Sequence, residues 1–128
     1  MNQTLDTDAH ILIVDDEEHF LNSLFLNLRS MGIRNVTRCY DSRKVISLVK
    51  QKTFSLVLLD ILMPGIGGDE LLPQILQECP GIQVIMVTAS AETELAQSCL
   101  KNGAFDYLVK PYRTYQLMNS IQNALRLE

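Results

Sequence analysis

Residues 54–60 read Phe54-Ser55-Leu56-Val57-Leu58-Leu59-Asp60. The run is nearly all apolar up to a terminal aspartate. A strand apolar at consecutive positions buries both its faces, as a central strand of a helix-covered parallel sheet must. The pattern recurs on both sides of this run. Ile11-Leu12-Ile13-Val14 precedes Asp15-Asp16, Gln83 to Val87 precedes Thr88, and Tyr107 to Val109 precedes Lys110-Pro111. Val36 to Tyr40 is a weaker strand candidate.

Between the strands lie helical patterns. Leu21, Leu24, Phe25 and Leu28 recur at i, i+3, i+4 and i+7, with Gly32 where that helix should stop. Asp41 and Ser42 can cap a helix carrying Val45, Leu48 and Val49. Leu71, Leu72, Ile75 and Leu76 mark a third helix, stopped near Pro80-Gly81. Leu95, Ala96, Cys99 and Leu100 mark a fourth, ending at Gly103. Thr114 opens a last one with Leu117, Met118, Ile121, Ala124 and Leu125. Strand–helix alternation predicts an α/β fold, a doubly wound parallel sheet with helices on both faces. The domain spans residues 10–128, after a polar tail over residues 1–9. Pro64-Gly65 and Gly67-Gly68 predict a flexible loop.

The 128 residues carry 11 basic and 15 acidic side chains, a formal charge of −4, with 47% hydrophobic and 20% charged residues. That is an ordinary single-domain balance, which excludes a disordered chain. The acidic balance and scattered lysines and arginines exclude a strongly basic nucleic-acid binder. The longest apolar runs are far too short to span a bilayer, and the acidic start lacks the form of a secretory signal. Cys39, Cys79 and Cys99 have no metal-type spacing and read as small reduced hydrophobes, as expected in the cytoplasm. His10 and His19 lack the spacing of a helical metal pair.

In an open parallel sheet, ligands bind beyond the carboxyl ends of the strands. Asp15, Asp16, Asp60, Thr88 and Lys110 all fall at that edge. Carboxylates brought together repel one another, and a hard divalent cation such as Mg²⁺ relieves the repulsion. Glu17 and Glu18 read simply as a solvated run at a helix N-terminus, but Asp15 and Asp16 close an apolar strand. Asp60 can serve as a nucleophile toward a phosphoryl group. Lys110 can neutralise a phosphoryl oxygen, and Thr88 can donate a hydrogen bond to another.

Four segments in this order carry a family resemblance. They are Ile11-Leu12-Ile13-Val14-Asp15-Asp16-Glu17, Leu59-Asp60-Ile61-Leu62-Met63-Pro64-Gly65, Met86-Val87-Thr88-Ala89 and Gly103-Ala104-Phe105-Asp106-Tyr107-Leu108-Val109-Lys110-Pro111. Over nearly its whole length the chain resembles the receiver domain of two-component response regulators. The resemblance implies a flavodoxin-like sheet of order 2-1-3-4-5. It implies that Asp60 accepts a phosphoryl group from a histidine kinase or phosphotransfer protein. It also implies that Asp15, Asp16, Asp60 and the Leu62 backbone carbonyl hold Mg²⁺, and that Thr88 and Lys110 contact phosphoryl oxygens. Tyr107 would be an aromatic switch answering Thr88, the Lys110–Pro111 peptide would be cis, and Leu62 and Ser90 would flank the path of a hydrolytic water.

The chain departs from the family pattern in two places. Gly67 stands where an aspartate is usual, which predicts a looser loop, and Tyr112 stands where phenylalanine is common. The faces of the fourth and fifth helices lack the charged pairs of winged-helix regulators, and Gly103 to Pro111 looks more like receivers of enhancer-binding activators. The expected output is therefore transcriptional, with no direct nucleic-acid contact by this domain, no membrane, and a homodimer through the helix 4–strand 5–helix 5 face as a further expectation. A stand-alone receiver is the alternative, although the helical pattern running unbroken to Leu125 favours a piece of a longer regulator. An aspartate-nucleophile phosphohydrolase fits less well, because Glu17 occupies the position its second aspartate needs. A flavin or nucleotide module would need a phosphate loop where Asp15-Asp16-Glu17-Glu18 stands. A receiver kept only for dimerisation would not need all five functional side chains.

Overall fold

The computed structural model describes residues 4–89 and 93–127. Its strands are β1 (Ile11–Val14), β2 (Val36–Cys39), β3 (Leu56–Asp60), β4 (Gln83–Thr88) and β5 (Asp106–Val109). Its helices are α1 (Glu18–Ser30), α2 (Val45–Gln51), α3 (Gly68–Glu78), α4 (Thr93–Lys101) and α5 (Thr114–Leu125). The strands form one parallel sheet in the order β2-β1-β3-β4-β5. This is the doubly wound arrangement expected, with the strand order reversing beside β1.

Alternation along each strand sorts its side chains between two cores. Leu12, Val14, Val57, Leu59, Val84 and Met86 pack with Val45, Val49, Leu71, Leu72, Ile75 and Cys99 of α2, α3 and α4. Ile11, Ile13, Leu56, Leu58, Ile85 and Val87 pack with Leu21, Leu24, Leu28, Leu117, Ile121 and Ala124 of α1 and α5. The central strands are therefore apolar at every position because both faces are covered.

Element boundaries differ from the sequence reading where polar residues pair. β3 runs to Asp60 and β4 to Thr88, because both residues join the ladder. Asp41 caps a short 3₁₀ turn over Ser42–Lys44 ahead of α2, its side chain accepting from the Arg43 N–H. Leu5, inside the stretch read as a polar tail, is buried against the α1–α5 core, and its N–H donates to the Met31 carbonyl. Gly32 ends α1 at φ +93°, which lets the Ile33 N–H return to the Leu28 carbonyl.

The loop after β3 is held more tightly than its glycines suggest. The Gly68 N–H donates to the Ile61 carbonyl at 2.8 Å. A Cβ at Gly68 would sit inside the Asp60 carbonyl group, so only glycine permits this approach. The Ser42 hydroxyl donates to the Pro64 carbonyl and accepts from the Ile66 N–H.

Candidate functional site

Strand register assembles the site. Val14 lies across from Leu59, so Asp15, one residue on, is brought beside Asp60. Thr88 lies across from Val109, and the Lys110 N–H donates to the Thr88 carbonyl at 2.7 Å. Parity then divides the side chains. Asp15, Asp60 and Lys110 continue the alternation that faces α1 and α5, whereas Thr88 and Tyr107 share the opposite face with Met86.

Asp15 and Asp60 are buried, at 2% and 6% exposure, and Asp16 is exposed. One oxygen from each of these three carboxylates lies within 4.8 Å of the others. The Lys110 ammonium donates to Asp15 Oδ2 at 2.6 Å and lies 4.0 Å from Asp60 Oδ2. The other Asp15 oxygen accepts the Glu17 N–H at 2.9 Å, which fixes the turn into α1. Burial, then the Asp15 carboxylate and the further Asp16 carboxylate, push the Asp60 carboxyl up to about 7, against the pull of Lys110 and the Leu62 N–H. Lys110 thus pairs with two of the three clustered carboxylates, and the acceptor candidate carries the imbalance.

That imbalance is the observation against which a divalent cation is tested. An all-oxygen set with one wet side suits Mg²⁺, and extra positive charge would lower the Asp60 carboxyl toward its ordinary range. The residues fit the ion.

The remaining residues named from sequence are distributed around this cluster. Thr88 is buried at the end of β4. Tyr107 is half-buried against the α2–α4 core. The Lys110–Pro111 bond is cis. Leu62 is 54% exposed beside the cluster. Ser90 lies outside the described residues.

The sequence does not single out Phe20 as a site residue. Its ring carries the Lys110 ammonium 3.8 Å from its centroid. Phe20 also stands edge-on to Tyr112, at 6.2 Å and 89°. Phe20 immediately precedes the apolar stripe of α1 and looks like another core residue. Only its distant partner Lys110 distinguishes it.

The family described as "Response regulator receiver domain" matches residues 11–122. The C4-dicarboxylate transport transcriptional regulatory protein DctD of Pseudomonas aeruginosa is 31% identical over 122 residues, covering 95% of this chain and 26% of that protein. The transcriptional regulatory protein ZraR of Escherichia coli K12 is 36% identical over 115 residues, covering 90% of this chain and 26% of that protein. The chain thus spans about a quarter of the length of these relatives. A response regulator receiver domain protein (CheY-like) from Methanospirillum hungatei has a similar crystal structure, with TM-score 0.87 and 32% identity over 94% of this chain and 95% of that one.

Proposed function

Given that the chain belongs to the response regulator receiver domain family, we propose that it is a phosphorylation-operated switch whose acceptor is Asp60. The observation that carries this reading is a buried strand-end carboxyl raised to about 7, held between Asp15 and Asp16 and faced by Lys110. The phosphoryl donor is a histidine kinase or phosphotransfer protein. An Asp60 oxygen forms the new P–O bond as the donor's P–N bond breaks, and the departing imidazole keeps the electron pair. Lys110 and the Thr88 hydroxyl bind phosphoryl oxygens, supplying donors where negative charge collects. Asp15, Asp16 and Asp60, with the Leu62 carbonyl, would hold Mg²⁺, which neutralises phosphoryl charge and screens it from the carboxylates.

Phosphorylation adds about two negative charges to a cluster with a single lysine. Lys110 turns from Asp15 to the phosphoryl group, Thr88 follows, and Tyr107 on the same sheet face takes the space behind it. The surface of α4, β5 and α5 changes, and a homodimer forms there. The output is transcriptional, as the names of DctD and ZraR suggest for those proteins.

The test treats the protein with Mg²⁺ and acetyl phosphate and weighs the product. Wild type gains the mass of one phosphoryl group and Asp60→Asn gains none. Equal labelling of the two proteins rules out this acceptor.

A further inference from the structure

We infer that Phe20 is a positioning residue for phosphoryl transfer, holding the Lys110 ammonium over the site by its ring face. The inference rests on Asp60 being the acceptor. The Lys110 side chain is only 13% exposed. Three groups surround its ammonium: Asp15 Oδ2 at 2.6 Å, Asp60 Oδ2 at 4.0 Å and the Phe20 ring at 3.8 Å from the centroid. Two of these are carboxylates that transfer would engage otherwise. Asp15 turns to the cation and Asp60 becomes an acyl phosphate, a mixed anhydride that no longer carries its own carboxylate charge. The third, the ring, stays where it is.

The ring is itself held. Tyr112 meets it edge-on, at 89°. Tyr112 is buried enough for its hydroxyl to be pushed up to about 12, against the opposing pull of the Asn27 side chain of α1. Asn27, Tyr112, Phe20 and Lys110 therefore form a continuous file from α1 through the β5–α5 connection back to the site.

A lysine ends a flexible four-carbon stem and is strongly hydrated, so an ammonium that loses its carboxylate tends to swing into water. A ring face attracts it through the quadrupole. Unlike a carboxylate, the ring leaves the positive charge intact for the phosphoryl oxygens. An aliphatic side chain of similar volume would fill the space without that attraction. Phe20→Leu and Phe20→Tyr separate packing from the ring.

The measurements are acetyl phosphate labelling at saturating Mg²⁺ over a range of donor concentrations, Mg²⁺ affinity of the unlabelled protein, and the NMR shift of the Lys110 ε-methylene protons. Phe20→Leu should lower the maximal rate about three- to tenfold, the size of a cation–π contact in a half-dry site. The donor concentration for half-maximal rate and the Mg²⁺ affinity should stay within twofold of wild type. The upfield ring-current shift of the Lys110 protons should vanish in Phe20→Leu and persist in Phe20→Tyr, and Phe20→Tyr should recover the rate. A wild-type rate in Phe20→Leu, or a rate in Phe20→Tyr no better than in Phe20→Leu, overturns the role of the ring. Labelling of Asp60→Asn at the wild-type rate instead removes the acceptor assignment beneath it, so the two failures are distinct.

Discussion

The two ends of the sheet resolve their polar groups in opposite ways. At the amino end, backbone pairs close each strand start. The Ile11 N–H donates to Asn35, Ser55 to His10, Gln83 to Ser55 and Phe105 to Val84, all between 2.7 and 3.1 Å. His10 is hydrogen-bonded to the Thr37 hydroxyl at 2.8 Å and meets the Phe54 ring edge-on. The large cleft there, about 800 Å³ and lined by Lys50, Lys52, Ser55 and Gln83 among others, has no carboxylate side chain among its described lining residues. At the carboxyl end three carboxylates gather with Lys110 beside two of them, and burial first, then the Asp15 and Asp16 charges, push the Asp60 carboxyl up to about 7. Cavity size and unrelieved charge therefore single out opposite ends of this molecule.

The sharpest way to break that contrast is to remove the Lys110 charge. Lys110→Met should slow acetyl phosphate labelling about 10²–10³-fold, the loss expected for one donor aimed at developing negative charge. Lys52→Met, at the amino end, should leave the rate unchanged. Comparable losses in the two variants, read from labelling time courses, would erase the distinction between the ends.

A pH series sharpens it next. The Asp60 carboxyl is raised from 3.8 to about 7, so the fold binds this proton more tightly than the unfolded chain does. Metal-free stability from this group is complete below about pH 4 and is lost as the pH climbs through 7. Protons compete with Mg²⁺ for the same oxygens, so the apparent Mg²⁺ affinity should fall about tenfold per unit below pH 7. Asp60→Asn should flatten both profiles across this window. Unfolding curves and Mg²⁺ titrations from pH 5 to 8 measure them, and a pH-independent Mg²⁺ affinity in wild type contradicts the assignment.

The smallest expected effect concerns the lifetime of the phosphorylated state. Leu62 is exposed beside the cluster and cannot orient a water by hydrogen bonding. Leu62→Asn should speed decay of labelled protein a few-fold after the donor is removed. Decay that is unchanged or slower shows that this side chain does not control the approach of water.

Much of this was legible in the sequence because parallel strands buried on both faces are apolar at every position. The polar residues that end them, Asp15, Asp60, Thr88 and Lys110, therefore stand out. Leu5 was not legible, since a single leucine among polar neighbours gives no periodicity. Nor was Phe20, whose partner lies in another part of the chain and whose neighbours in α1 look the same. The Gly67-Gly68 pair reads as slack in the sequence because glycine permits freedom. Here its second member serves close approach instead, and no local pattern separates the two uses. The bond between the Ser120 hydroxyl and Asp106, at 2.7 Å, likewise appears only once α5 is packed on β5.

The contact beneath Asp60 has a mechanical consequence. The backbone of Gly68 rests directly on the backbone of Asp60, with no side chain between to deform and absorb a displacement. The first turn of α3 and the end of β3 thus meet in a stiff joint, unlike the side-chain packing that joins the helices to the sheet in the two cores. A force applied at the Asp60 main chain reaches α3 undamped.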